Sequence, residues 1–333
     1  MNPVIAQTKF AIWDRARAYS QHFVCILGLL GCVFGAEAIA GPLAYVPNEG
    51  SGTVSVIDTE TDQVIQNIKA GTKPRGLAVD KDGKFLYVSD QPHSALLIVD
   101  LEKREVVGRI DLGESPEGVG ISPDGKWVIA AVEITNAIVF IDTKTKQKVF
   151  SVKTKGKNPE HAVFSPDGRW VYVSAEEAKQ VDVIDVSQRK QVATVDVAQR
   201  PRGIGFLPDS SRAYVACEFD SRVFAIDVRS GTPSAPIKAG TFSNGVTVHP
   251  SGKRVYISNG KDASVTVIDT EKNESIATIP VGKRPWNMAI TPDGKKLYVA
   301  NGRSNSISVI DTETNAKLKD IDVGELPWGV VIR

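Results

Sequence analysis

The chain is 333 residues long and nearly neutral, with 40 Lys and Arg against 39 Asp and Glu. That balance excludes a global field able to draw the protein to nucleic acid or to an anionic lipid surface, and no local basic patch replaces it. Of the three cysteines, Cys25 and Cys32 lie in the opening segment and Cys217 stands alone. An internal disulfide, a Cys-x-x-Cys-His heme attachment and a Cys/His zinc cluster are excluded with them.

Residues 1–40 read as an export signal. Lys9, Arg15, Arg17 and His22 precede an apolar run at 23–35, and the small-x-small triplets Ala36-Glu37-Ala38 and Ala38-Ile39-Ala40 follow it. Cleavage after Ala40 would deliver the mature chain to the periplasm. The apolar run is about 13 residues, short of the ~20 that span a bilayer, so no transmembrane segment is expected in the mature chain. The alternative is a lipid anchor, because Leu29-Leu30-Gly31-Cys32 is similar to a lipobox.

From residue 41 onward the chain repeats. Ile57-Asp58, Val99-Asp100, Ile141-Asp142, Ile184-Asp185, Ile226-Asp227, Ile268-Asp269 and Ile310-Asp311 end equivalent segments, with successive Asp residues 42, 42, 43, 42, 42 and 42 apart. The extra residue falls in 154–158. A second marker keeps step: Pro74-Arg75-Gly76, Pro116-Glu117-Gly118, Pro159-Glu160-His161, Pro201-Arg202-Gly203, Ser243-Asn244-Gly245, Pro285-Trp286-Asn287 and Pro327-Trp328-Gly329. Each unit predicts four short strands; in the unit from Arg75 these are a (76–79), b (85–89), c (95–99) and d (106–110). They are rich in Val, Ile and Tyr, and Asp82-Gly83 supplies the a–b turn. Alternation in Thr53-Val54-Ser55-Val56-Ile57 suits sheets packed face to face.

Four-stranded units at this period predict an all-β, single seven-bladed β-propeller over residues 41–333. The repeat begins at a strand b (43–46) and ends at a strand a (329–332), so the two ends are expected to share one blade and close the ring. A monomer is expected.

Tyr87-Val88-Ser89-Asp90, Tyr172-Val173-Ser174, Tyr256-Ile257-Ser258-Asn259 and Tyr298-Val299-Ala300-Asn301 give the repeats a further signature. With these motifs the chain resembles the YVTN-repeat propellers over residues 43–333. It is most similar to the exported propellers associated with pyrroloquinoline-quinone-dependent alcohol catabolism, which share the Pro-x-Gly marker and the Ser-Pro-Asp-Gly-Lys spacing of residues 122–126. The resemblance implies a pathway: an accessory role in quinoprotein alcohol oxidation, with a periplasmic protein of that process as partner. It implies no cofactor, because the Trp-docking repeats and vicinal cysteines of the quinone-binding enzymes are missing. Heme d1 propellers resemble these repeats too, in a context that includes an attached cytochrome domain.

In a propeller the innermost strands line a channel, and the d–a and b–c loops share one face, the top. The second marker residue therefore recurs at the channel mouth: Arg75, Glu117, Glu160, Arg202, Asn244, Trp286 and Trp328. Aligned b–c positions are Glu49, Gln91, Glu133, Glu176, Glu218, Gly260 and Gly302. Similar blades do not require this variation. It predicts a binding site with an acidic sector, which includes Glu133, Glu176 and Glu218, opposite two neighbouring Trp, suited to a small organic ligand or a peptide segment. Structural readings stand beside it: the Trp residues pack loops, the Glu loops are solvated turns, and Arg75 and Arg202 brace Glu117 and Glu160. His161, the His beside the ring, is a ligand, an acid–base group or structural. The seven Asp ending strand c are expected to cap the following turns, and Cys217 to be an inert buried thiol. No catalytic residue and no metal are assigned. Seven-bladed sugar lactonases, which the chain also resembles, use a carboxylate, a His and an Arg at the channel mouth. Glu160, His161 and Arg202 match that set by residue type, giving a lactonase-like hydrolase as the alternative.

Overall fold

The computed structural model describes residues 41–333; the predicted export signal, its cleavage site and Cys32 lie outside the described residues. Seven antiparallel sheets follow one another along the chain, and no α-helix occurs among the described residues. The second blade is typical, with strands Pro74–Val79, Phe85–Asp90, Ala95–Asp100 and Glu105–Asp111 running from the channel outward. Each strand predicted for this blade is present and extends by one or two residues. The outer strand of the fifth blade is split into Thr232–Pro233 and Ile237–Lys238. Pro233 and Pro236 lie there, and proline cannot donate to a ladder.

The first blade takes Leu43–Asn48, Thr53–Asp58 and Gln63–Lys69 from the start of the described chain and Val331–Ile332 from its end. Ala44 pairs with Ile332 and Tyr45 with Val331. That innermost strand is shorter than the 329–332 expected; Pro327 adds a lone bridge to Asn48. The ends are also joined at the bottom. Lys296 reaches Asp62 Oδ2 at 2.9 Å, and the Tyr298 hydroxyl donates to Asp62 Oδ1.

Core side chains fill the seams between neighbouring blades. One cluster joins Tyr45, Val54 and Val56 of the first blade to Leu77, Leu86 and Val88 of the second; another joins Ala44, Val46 and Ile57 to Tyr298, Ile307 and Val309 of the last. Strands b and c are therefore buried on both faces, and the alternation in residues 53–57 does not mark a solvent face. Ser55 is fully buried there, accepting from Asn48 Nδ2 at 2.9 Å and donating to Asn67 Oδ1 at 2.6 Å. Exposed positions concentrate in the outer strands, as in Gln63–Lys69, where exposed positions alternate with half-buried or buried ones. The strand-c Asp residues do cap their turns: Asp58 accepts from the Glu60 and Thr61 amides at 2.8 and 3.0 Å, and Asp269 from Glu271 and Lys272 at 2.9 Å each.

Candidate functional site

The marker residues reach the mouth because strand a is irregular at its start. In the second blade Pro74 pairs with Asp90 and Leu77 with Val88, so Arg75 and Gly76 drop out of register. The same shift recurs after Pro116, Pro159, Pro201, Ser243 and Pro285. Such bulges re-aim side chains. The Tyr-Val-Ser-Asp signature holds them in place. Ser89 Oγ accepts from the Gly76 amide at 2.9 Å and donates to the Glu117 carbonyl of the next blade at 2.8 Å. Asp90 Oδ1 accepts from the Thr72 and Lys73 amides at 3.0 Å and fixes the d–a loop. Gly76 permits the close approach: a Cβ there would lie 2.2 Å from the Glu117 carbonyl oxygen.

Two of the seven units replace that glycine, with His161 and Asn287. Both side chains line the same cavity, of about 240 Å³, together with Arg75, Glu133, Glu160, Glu176, Arg202, Asn244, Trp286 and Trp328. Nine of the predicted site residues thus converge. Glu117 and Glu218 sit behind the cavity wall, fully or almost fully buried. The Trp328 ring stacks on His161 with centroids 5.4 Å apart and planes at 14°. Trp286 lies against the backbone of Gly302, where a Cβ would meet its ring at 2.6 Å.

The acidic sector is not free of counter-charge: Glu176 and Glu218 are ion-paired, while Glu133 is held by neutral donors, with Ser115 Oγ at 2.6 Å. Arg75 meets Glu117 at 2.5 Å and Glu49 at 3.2 Å. Arg202 spreads over three blades, meeting Glu160 at 2.6 Å, Glu176 at 2.9 Å and Glu218 at 3.0 Å. Arg200 meets Glu176 at 2.5 Å and Glu218 at 2.9 Å, and Arg284 meets Glu218 at 2.8 Å. Asn158 donates to Glu133 at 3.2 Å and to Glu176 at 2.8 Å. Glu133, Glu160 and Glu176 do bring one oxygen each within 4.8 Å of one another. Arg202 already holds two of the three, so a guanidinium takes the part a cation would play. The bracing reading of Arg75 and Arg202 therefore holds, and the reading of Glu176 and Glu218 as solvated turns does not. Sequence reasoning missed Arg200 and Arg284. Both immediately precede a marker Pro and occupy left-handed backbone, φ 58° and 54°. Their position in the repeat was the available signal.

Burial, then Glu160, push the Glu117 carboxyl up to about 8 against the pull of Arg75. Burial also raises Glu133 and Glu176. Burial opposes ionisation of Glu160 too, yet Arg202 and further neighbours hold it below its ordinary value. Burial lowers His161 and keeps its ring neutral, outweighing the raising influence of Glu160 and Asn287. Neither His161 nitrogen makes a hydrogen bond of good geometry, and both are buried. The Asn244 side chain, 4% exposed, makes no hydrogen bond to another described residue. Cys217 is fully buried with its thiol pushed up to about 12 by burial, as expected of an inert thiol.

Two family models match parts of the chain: "Lactonase, 7-bladed beta-propeller" over residues 189–325 and "Cytochrome D1 heme domain" over residues 40–162. No curated protein matches the sequence. Among solved structures, the chain is similar to hydrazine synthase of Kuenenia stuttgartiensis, with 25% identity, a TM-score of 0.75, and coverage of 80% of this chain and 92% of that one. A functionally unknown protein of Desulfotomaculum acetoxidans is 15% identical, with a TM-score of 0.77 and coverage of 87% and 98%. A dihydro-heme d1 dehydrogenase is 16% identical, with a TM-score of 0.65 and coverage of 87% and 74%. The last two likenesses are likenesses of fold alone.

Proposed function

We propose that this protein is a non-catalytic binding propeller, exported to the periplasm, whose channel mouth holds a small organic ligand or a segment of a protein partner. In this reading it assists quinoprotein alcohol oxidation. The carrying observation is that the residues breaking the repeat converge on one cavity, where every lining arginine is committed to an inter-blade ion pair and the aromatic and amide groups are left to face a ligand. A general acid or base needs a carboxyl or imidazole free to exchange protons; Glu160 is instead bonded to Arg202. Aromatic anchors commonly dominate binding energy. Trp286→Ala with Trp328→Ala should weaken binding of the ligand or co-purified partner by about 2 kcal/mol or more. Stability is measured in parallel, because removing a packed Trp costs about 3–5 kcal/mol. A folded double variant that binds normally defeats the reading.

A lactonase-like hydrolase is the second reading. It is supported by the unpartnered His161 ring beside Glu160 and Arg202 and by the lactonase model over residues 189–325. Hydrolysis of a sugar lactone by the wild type that disappears in His161→Ala would establish it in place of the first.

A further inference from the structure

At the mouth the arginines are matched by carboxylates, although Arg75 Nε, Glu117 Oε2 and Glu176 Oε1 make no hydrogen bond of their own. Arg75, Arg200, Arg202 and Arg284 each meet at least one carboxylate within 3.2 Å, so the charge of each guanidinium is already matched. Leaving out Glu117, which holds a proton, five carboxylates stand against these four cations once Glu218 behind the wall is included, which disfavours an anion further. Glu49, Glu160, Glu176 and Glu218 are held by arginines, with which an ammonium ion would compete; Glu133 is held by neutral donors, Ser115 Oγ at 2.6 Å and Asn158 Nδ2 at 3.2 Å.

Uncharged polar groups also face the cavity. The Asn244 amide has one donor end and one acceptor end, and its side chain is nine-tenths buried at the cavity wall. A neutral imidazole, as at His161, has one nitrogen of each type. An ammonium requires acceptors only and a carboxylate donors only. A hydroxyl group both donates and accepts, so a set of mixed, uncharged partners matches it. Trp286 and Trp328 add flat apolar surface for carbon-bound hydrogens. The cavity, about 240 Å³, is smaller than the roughly 300–1,000 Å³ of pockets for drug-sized ligands.

We propose that the ligand of the mouth is a small, uncharged, hydroxyl-rich molecule of polyol or monosaccharide size, held by Asn244 and His161 against the two Trp rings. This rests on the reading of the mouth as a ligand site. The test is calorimetric titration of the full chain with three probes of one size and different charge: D-glucose, D-gluconate and D-glucosamine. D-Glucose is expected to bind, and the two ions to bind about tenfold more weakly or worse, because each must bring an unmatched charge into a paired site. Asn244→Ala should weaken D-glucose by about two- to tenfold, the effect of one hydrogen bond. Trp286→Phe should weaken it too, and it preserves an aromatic ring if larger truncations fail to fold. Equal or tighter binding of gluconate or glucosamine, lost in Asn244→Ala, overturns the inference and leaves the site reading standing. Binding of none of the three overturns the inference as well. D-Glucose binding that neither variant changes overturns both.

Discussion

Glu117 shows how one position in the repeat acquires a property its equivalents lack. It is fully buried, accepts from Gln91 Nε2 at 2.7 Å as well as from Arg75, and leaves its second oxygen unpartnered. With its carboxyl raised to about 8, the folded protein holds a proton there that the unfolded chain releases near the ordinary Glu value. Stability from this group is therefore fully present at low pH and declines as pH rises toward 8. Glu117→Gln should flatten the urea-unfolding stability between pH 5 and pH 8 relative to wild type. An unchanged pH profile would show that Glu117 ionises in the fold. His161, lowered by burial, acts in the opposite direction, since it must lose a proton to enter the fold. The comparison with Glu117→Gln leaves that contribution in place on both sides. The turn-capping Asp residues, such as Asp58 and Asp269, are lowered chiefly by backbone hydrogen bonds. Their contribution is present above the ordinary Asp value and is lost as pH falls through their folded values, so unfolding in acid is expected below about pH 4.

Within a blade, two glycines do different jobs. Gly76 has an ordinary backbone conformation but lies against the next blade, whereas Gly83 has φ 68° with open space around it. Gly76→Ala should cost about 1–3 kcal/mol through overpacking. Gly83→Ala should cost about 1–2 kcal/mol from left-handed backbone strain alone. Equilibrium denaturation of both variants checks this, and only Gly76→Ala should also disturb the mouth, because Gly76 abuts the backbone that presents Glu117. Gly302 has a third role. It replaces the Glu of other b–c loops and clears the surface on which Trp286 rests. Gly302→Ala should displace the indole, shift the tryptophan emission and weaken binding at the mouth, with little loss of stability. An unchanged spectrum and unchanged binding would mean that the ring is placed by other contacts.

At the scale of the whole molecule, the two ends of the described chain meet. Besides the short Val331–Ile332 ladder, the Leu43 amide donates to the Arg333 carbonyl at 2.8 Å, and the Trp328 amide to the Pro47 carbonyl at 2.9 Å. Truncation after Leu326 removes these bonds, buried Val330 and one wall of the cavity together. A lower melting temperature in a single cooperative transition is expected by circular dichroism, because the seam between first and last blades belongs to the same continuous ring of packed sheets. Melting like the full-length protein would show that the remaining strands of the first blade hold that seam unaided.

The number of blades, the strand order and most of the residues presented at the mouth followed from the sequence, because a 42-residue period of short β-rich segments separated by turns leaves few other ways to bury apolar side chains. Positions such as Arg75, Asn244 and Trp328 stood out because they vary where the strands around them do not. The pairing of charges could not be read in the same way. Arg284 and Glu218 are 66 residues apart, and Arg75 and Glu117 are 42 apart. Only the curvature of the ring brings them within bonding distance. A row of Glu in aligned loops therefore reads as an acidic face until the channel geometry places Arg200, Arg202 and Arg284 among them. Burial was likewise decided in three dimensions. Ser55 alternates along its strand like a surface residue, yet a neighbouring blade covers each face of its sheet, so its hydroxyl must find partners inside.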